Sequence, residues 1–182
     1  MFILVTGASA SGKSEYAECR ITAVHQEERH LLYLATMQPY GEEGRARVAK
    51  HRKQRALRNF ETLEWYKNLE QATIPMDSDV LLECMSNLVA NEMFEEQGAH
   101  NRTVSEVTKG IENLLGQAAH VVIVTNEIFS DAVVFDGDMD SYLEYLGEIN
   151  QAAAQRADEV VEVVYGIPVF HKSADARSNL CK

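Results

Sequence analysis

Residues Phe2 to Ser14 read FILVTGASASGKS, and this stretch decides the fold. Its first four residues are aliphatic or aromatic, as in a strand that is buried on both faces of a parallel sheet. The pattern that follows, Gly7-x-x-x-x-Gly12-Lys13-Ser14, is a complete P-loop signature. The residues after Ser14 have helical character, so the strand, the turn and the helix stand in the required order.

The chemistry of phosphate binding explains this spacing. A polyphosphate is held by several backbone N–H groups of a slim loop, followed by a helix whose positive N-terminal end faces the anion. The loop residues Ala8, Ser9, Ala10 and Ser11 are all small. Lys13 is expected to act catalytically on the β- and γ-phosphates, and the Ser14 hydroxyl to bind Mg²⁺. The stretch from Gly7 to Ser14 therefore predicts a nucleoside triphosphate site.

Length and composition indicate an ordinary globular chain. With 182 residues, 46% hydrophobic and 25% charged, the chain is expected to form one domain over residues 1–182. The first apolar run is too short for a signal peptide and no run is long enough to cross a membrane, so we expect a cytoplasmic protein without membrane insertion. Three cysteines, odd in number and far apart, favour neither a disulfide framework nor a metal knuckle.

Charge is unevenly distributed along the chain. The net charge of -11 argues against binding to nucleic acid, which needs broad positive potential. Yet the segment from Arg45 to Arg58, here called the basic island, holds seven of the seventeen Lys and Arg residues and no acid. Such an island needs an anionic ligand or an acidic neighbour.

The basic island has helical spacing. Arg47, His51, Arg55 and Arg58 follow one another at intervals of four, four and three, so they share one face of a helix. Arginine forks pair with phosphate oxygens, and a histidine can act as base or nucleophile. A solvated cationic face is the alternative that this spacing leaves open.

Alternating elements predict the fold class. Strands are expected near residues 2–5, 31–36, 60–64, 80–83, 120–125, 159–165 and 168–171, with a loop from Ile74 to Asp79. Helices are expected near residues 14–24, 42–55, 86–96, 104–118 and 139–156. Strands separated by helices imply an α/β, doubly wound, mostly parallel sheet of the P-loop NTPase-like kind.

Two acids follow apolar strands and could complete a Mg²⁺ site. Glu83 ends the run Val80-Leu81-Leu82, and Glu127 follows the run from Val121 to Asn126. For each, a solvated carboxylate at the end of a strand is the alternative. Outside the basic island the histidines show no ligand spacing, so we expect no zinc site.

These stretches occur together in one known family. The P-loop, the segment Tyr33 to Thr36, the pattern Arg47-x-x-x-His51-Arg52-x-x-Arg55, and Leu81 to Cys84 with Asn91 come first. The segment Val124 to Glu127, the pair Asn150-Gln151 and the stretch Ala157 to Val160 follow. In this order they resemble the bifunctional adenosylcobinamide kinase/adenosylcobinamide-phosphate guanylyltransferase family of cobalamin biosynthesis.

The resemblance implies two reactions and a set of site residues. A nucleoside triphosphate, ATP or GTP, phosphorylates a corrinoid, and GTP then guanylylates the product through a GMP-histidine, which falls on His51. The nucleotide contacts fall on Gly7, Ala8, Ser9, Ala10, Ser11, Gly12, Lys13, Ser14, Ala35, Thr36, Met37, Arg52, Lys53, Gln54, Arg55, Glu64 and Glu83. Ser14 and Glu83 are the implied Mg²⁺ ligands, and the implied oligomer is a trimer.

Two other functions stay open at this point. The first is a P-loop kinase for another small hydroxylated acceptor, in which His51 only clamps phosphate. The second is a non-catalytic GTP-binding switch, although the sequence has no Asn-Lys-x-Asp motif for reading guanine.

Overall fold

A seven-stranded sheet forms the centre of the protein in the computed structural model, which describes residues 1–39, 41–42, 58–129 and 137–173. The strands are β1 (Phe2–Thr6), β2 (Leu31–Ala35), β3 (Glu61–Glu64), β4 (Ser78–Leu82), β5 (Ala118–Val124), β6 (Glu159–Val164) and β7 (Ile167–Lys172). Within the same ranges the helices are α1 (Lys13–Val24), α2 (Met85–Phe94), α3 (Thr103–Gln117) and α4 (Asp138–Arg156). The predicted helix over residues 42–55 lies outside the described residues, Glu42 excepted.

The strand order across the sheet is β3-β2-β4-β5-β1-β6-β7. All neighbouring strands are parallel except β6 and β7, which form an antiparallel hairpin at one edge. The run from Phe2 to Val5 is buried because β1 has a strand on each side and helices on both faces. The prediction of a doubly wound, mostly parallel sheet is confirmed.

Alternate residues of β1 face two separate cores. Ile3 and Val5 pack with Tyr16 and Ile21 of α1 on one face of the sheet. Leu4 belongs to the larger core on the other face, which α2, α3 and α4 cover. None of the helices in the described ranges is both long and apolar enough to span a membrane.

Part of one predicted loop was wrong. Ser78 and Asp79 were expected in a loop, but they begin β4 and are fully buried. Asp79 tolerates burial because its carboxylate lies 2.8 Å from His25 Nδ1 and 3.7 Å from Arg29 Nη1. Polar side chains suggest a loop in the sequence, whereas in the structure these partners from the segment after α1 compensate the burial of the carboxylate.

Candidate active site

Two glycines determine the path of the P-loop between β1 and α1. A side chain on Gly7 would place its Cβ 2.6 Å from both Ser11 Oγ and the Val163 carbonyl oxygen, so the position admits no side chain. Gly12 has a φ of 93°, a left-handed conformation that costs a glycine little. The loop can therefore turn directly into α1, whose N-terminal end favours phosphate.

Neighbouring loops hold the P-loop in shape. The Glu127 N–H donates to the Gly7 carbonyl oxygen at 3.0 Å, and the Gly166 N–H donates to the Ser11 carbonyl oxygen at 2.8 Å. Glu127 follows β5 and Gly166 follows β6, the two strands that flank β1. The loop is thus tied to the rest of the fold on both sides.

Lys13 is buried and lies against the loop. Its ammonium group donates to the Ala8 carbonyl oxygen at 3.1 Å, and 9% of the residue is exposed. Burial lowers the pKa of Lys13 below its usual range, and the nearby Cys84 opposes this only in part. A bound phosphate would compensate the desolvation of the ammonium, because opposite charges favour the charged form.

Strand β4 brings Glu83 and Cys84 to the edge of the sheet that carries the P-loop. Because β4, β5 and β1 are parallel neighbours, their carboxyl ends share one edge. Glu83 is half-buried, and its N–H donates to the Leu34 carbonyl oxygen at 3.0 Å. Burial raises the pKa of the Cys84 thiol, with Glu83 adding to this effect and Lys13 opposing it. Both charged residues therefore act on the same buried thiol.

Glu127 is the less suitable of the two predicted acids. Its Oε1 accepts a hydrogen bond from the Phe129 N–H at 3.1 Å, so the carboxylate stabilises its own loop. The preceding residue, Asn126, directs its Nδ2 to the Cys84 Sγ at 3.6 Å. The structure thus ties Glu127 to its own loop beside the P-loop.

A buried asparagine joins the loops that follow β2 and β3. Asn91 Nδ2 donates to the carbonyl oxygens of Thr36 and Tyr66, each at 2.9 Å. Thr36 is itself fully buried, and its hydroxyl donates to the Cys84 carbonyl oxygen at 2.8 Å. Asn91, for which the sequence indicated no role, therefore fixes the positions of these two loops.

The remaining predicted site residues occupy varied environments. Ser14 is exposed at the start of α1, and Glu64 is exposed at the end of β3, where it accepts a hydrogen bond from the Tyr66 hydroxyl at 2.8 Å. Ala35 is buried and Met37 is half-buried. Five predicted residues lie outside the described residues: His51, Arg52, Lys53, Gln54 and Arg55.

A cavity of about 450 Å³ lies over the P-loop, here called the P-loop cavity. Its lining includes Lys13, Ser14 and, from outside the loop, Arg58. Arg58 is the last residue of the basic island and pairs with Glu18 of α1 at 3.3 Å. It was not among the predicted nucleotide contacts, although it shares the helical spacing of His51 and Arg55, which was the signal for it.

Solved structures with a similar fold support the P-loop NTPase-like class. An ATPase domain of known structure superimposes with a TM-score of 0.50 at 9% identity, over 88% of this chain and 68% of that chain. A protein of Pyrococcus horikoshii OT3 gives a TM-score of 0.50 at 11% identity, over 96% of this chain and 87% of that chain. At these identities the likeness concerns the fold alone.

Similarity to characterised sequences is closer. The Escherichia coli (strain K12) and Salmonella typhimurium (strain LT2) proteins named bifunctional adenosylcobalamin biosynthesis protein CobU are each 33% identical over 183 residues. Both alignments cover 93% of this chain and 98% of the relative. The corresponding CobP protein of Pseudomonas aeruginosa is 29% identical over 171 residues, which is 91% of this chain and 94% of the relative.

A family model confirms the resemblance seen in the sequence. The model described as CobU, cobinamide kinase / cobinamide phosphate guanyltransferase, matches residues 3–170. The match begins in β1 and ends in β7, so it includes the P-loop, the basic island and the whole edge described above. The chain therefore belongs to the cobinamide kinase / cobinamide phosphate guanyltransferase family.

Proposed function

We propose that this protein, as a single domain over residues 1–182, catalyses both reactions for which its family is named. It would phosphorylate adenosylcobinamide and then guanylylate adenosylcobinamide phosphate. The observation that carries the proposal is that the basic island ends in the P-loop cavity, where Arg58 lies with Lys13 and Ser14. Cationic groups from two distant segments thus meet where a triphosphate would bind.

The first reaction is a phosphoryl transfer. The aminopropanol hydroxyl of adenosylcobinamide attacks the γ-phosphorus of ATP or GTP and loses its proton. The new O–P bond forms as the bond to the leaving nucleoside diphosphate breaks. Lys13, whose lowered pKa reflects a desolvated ammonium, would stabilise the charge on the phosphates together with Arg58.

A magnesium ion is part of the proposal. The Ser14 hydroxyl and the Glu83 carboxylate are oxygen donors at the start of α1 and the end of β4, and Mg²⁺ prefers one or two such protein oxygens with phosphate and water. No group of three His, Cys, Asp or Glu side chains in the described ranges could hold a metal ion by itself. The two oxygen donors therefore fit a magnesium ion that binds jointly with a nucleotide. When bound, the ion would neutralise negative charge on the phosphates.

The second reaction is a nucleotidyl transfer through His51. Its neutral imidazole attacks the α-phosphorus of GTP, forming a P–N bond while pyrophosphate leaves. A phosphate oxygen of adenosylcobinamide phosphate then attacks the same phosphorus. The P–N bond breaks, which gives adenosylcobinamide-GDP and regenerates the imidazole. Arg52, Lys53, Gln54 and Arg55 would contact the nucleotide during both steps.

Chain length limits the distance between His51 and the P-loop cavity. His51 lies seven residues before Arg58. Even fully extended, that segment spans at most about 25 Å. If the segment is helical, as its spacing predicts, the two positions are only about 10 Å apart. Arg58 in the cavity wall therefore supports a nucleophilic role for His51.

Labelling with GTP tests the proposal. Protein incubated with GTP labelled at the α-phosphate should retain acid-labile, alkali-stable label after precipitation, as expected for a phosphoramidate. The label should vanish in His51→Ala and persist in the matched control His30→Ala. His30 immediately precedes β2 and so lies at the amino ends of the parallel strands, whereas the P-loop lies at their carboxyl ends. Adenosylcobinamide phosphate should discharge the label.

Other results would favour the rival functions. Phosphoryl transfer to adenosylcobinamide without any protein-bound label would leave a kinase only, with His51 as a phosphate clamp. GTP binding with neither label nor transfer would indicate a switch. The resemblance extends the proposal to a cytoplasmic homotrimer, and sedimentation equilibrium would measure the number of subunits.

A further inference from the structure

A second cavity, here called the α4 cavity, lies between the sheet and helix α4. Its volume is about 380 Å³, and Leu4, Phe129, Ala154 and Val160 provide much of its apolar lining. Leu4 faces the core of α2, α3 and α4, so the cavity is on the opposite side of the sheet from α1. Its volume is within the range of small-molecule sites, which is about 300–1,000 Å³.

Two buried polar atoms in the lining have no hydrogen-bond partner among the described residues. Thr125 is 1% exposed, and its Oγ1 is one of these atoms. The Oδ1 of Asn150, on α4, is the other. Buried polar groups are normally satisfied, because an unpaired one loses the hydrogen bonds it made to water. The arrangement suits a ligand that carries a hydroxyl or amide group on a short aliphatic body.

The α4 cavity lies beside the base of the P-loop. Thr6, which contributes to its lining, immediately precedes Gly7. Thr125 lies next to β1, because the Thr125 N–H donates to the Val5 carbonyl oxygen at 2.9 Å. The α4 cavity and the nucleotide site therefore both adjoin β1. Among the described residues, no lysine or arginine lines the α4 cavity. Its chemistry is therefore that of an uncharged ligand rather than a phosphate.

We propose that the α4 cavity is the acceptor subsite, which binds the aminopropanol arm of the corrinoid. This inference rests on the proposed function. The arm is a short aliphatic chain with an amide and a hydroxyl, so its carbons match Leu4 and Val160. Its amide group matches Thr125 and Asn150, and its hydroxyl is left to attack the γ-phosphorus in the first reaction. Thr125 and Asn150 come from two of the stretches, Val124 to Glu127 and Asn150-Gln151, on which the resemblance to the family rests.

A glycine on α4 allows the cavity to be filled. A Cβ at Gly147 would lie 3.8 Å from Phe129 Cε1, an ordinary contact, and Gly147 itself lines the cavity. Gly147→Leu should therefore occupy the space that the arm needs. The matched control is Gly116→Leu on α3, where nothing lies within 4 Å of the added Cβ. Both variants replace a helical glycine by the same residue.

The experiment measures kcat and KM of the kinase reaction for adenosylcobinamide and for ATP. In Gly147→Leu the KM for the corrinoid should rise at least about tenfold, with a smaller change in kcat and the KM for ATP within about twofold. Gly116→Leu should match the wild type. Thr125→Val, which exchanges one hydroxyl for a methyl group, should raise the KM for the corrinoid alone.

Corrinoid KM values within about twofold of the wild type in both Gly147→Leu and Thr125→Val would overturn the subsite. If Gly147→Leu does not fold, Thr125→Val decides the matter alone. A wild-type protein that transfers no phosphate to adenosylcobinamide would instead overturn the proposed function, and the subsite with it. The wild-type assay therefore separates the two failures.

Discussion

Arg58 Nε lies 3.3 Å from Glu18 Oε2 at the wall of the P-loop cavity. The pair connects the end of the basic island to the second turn of α1. Both side chains are partly exposed, 30% for Arg58 and 14% for Glu18, so solvent screens their attraction and the ion pair itself is weak. A triphosphate in the cavity would compete with Glu18 for the guanidinium.

The exchange of partners by Arg58 predicts opposite effects of two substitutions on nucleotide affinity. Arg58→Ala should raise the Kd for GTP about tenfold, because a charge-assisted contact to phosphate is lost. Glu18→Gln should lower the same Kd by about threefold, since a carboxylate no longer competes with phosphate. Titration with a fluorescent GTP analogue measures both. Arg102→Ala, at an exposed position before α3, is the control. Equal affinities in all three variants would contradict this role of Arg58.

The buried Lys13 predicts a pH dependence of stability in the nucleotide-free protein. Burial lowers the pKa of Lys13 in the folded protein below its value in the unfolded chain. Between these two pKa values the unfolded chain binds more protons, so the free energy of unfolding rises with pH across that window. Lys13→Met removes the titrating group and should remove this rise.

Urea unfolding of the nucleotide-free protein tests whether the free energy of unfolding rises with pH in this way. At about pH 7.5, Lys13→Met should be more stable than the wild type, and the difference should narrow towards about pH 10. GTP binding should fall over the same window in the wild type, because neutral Lys13 attracts phosphate less. A stability difference that is independent of pH would refute the argument.

Asn91 is expected to stabilise the edge that carries the site. Asn91→Ala removes a donor from the buried carbonyl oxygen of Thr36 and the partly buried one of Tyr66, and it should cost about 2–3 kcal/mol of unfolding free energy. It should also weaken nucleotide binding, because both loops lose a fixed position. Chemical denaturation and GTP titration measure the two effects. Asn101→Ala, at an exposed site, should change neither, and an unchanged Asn91→Ala would show that the bonds contribute nothing.

A buried ion pair between α1 and β6 predicts non-additive effects on stability. Arg20 Nη2 lies 2.8 Å from Glu159 Oε2, and both side chains are largely buried. Arg20→Met or Glu159→Gln alone should cost about 3 kcal/mol, because each leaves a buried group without its partner. The double variant should cost less than the sum of the two. A strictly additive cycle, measured by urea unfolding, would mean that the pair does not interact.

Much of the fold was predictable because its signals are local. The buried run Phe2 to Val5, the alternation of strands with helices and the two last strands depend on neighbours in the sequence, and all are present in the structure. The order of the strands was not predictable in this way. That β5 lies between β1 and β4 follows from packing between segments far apart in the chain.

In the candidate site too, local sequence patterns predicted some features and only the structure showed the others. The P-loop pattern identified Lys13 and Ser14, whose roles depend on a single turn between β1 and α1. The family resemblance already implied Glu83 as the Mg²⁺ ligand, but only the structure shows that the Glu127 carboxylate accepts a hydrogen bond from the Phe129 N–H. The error at Asp79 has the same origin, since its burial depends on His25 and Arg29.

The amino-acid sequence alone determined that this protein has a phosphate-binding loop, a cationic segment around His51 and the motifs of its family. These are properties of short stretches, governed by backbone conformation and by the chemistry of adjacent side chains. Only the tertiary structure decided that Arg58 reaches the P-loop cavity, that Asn91 joins two loops and that Thr125 and Asn150 share the α4 cavity. These contacts join residues that are far apart in the sequence. They form because the chain folds to bury its two cores against the sheet.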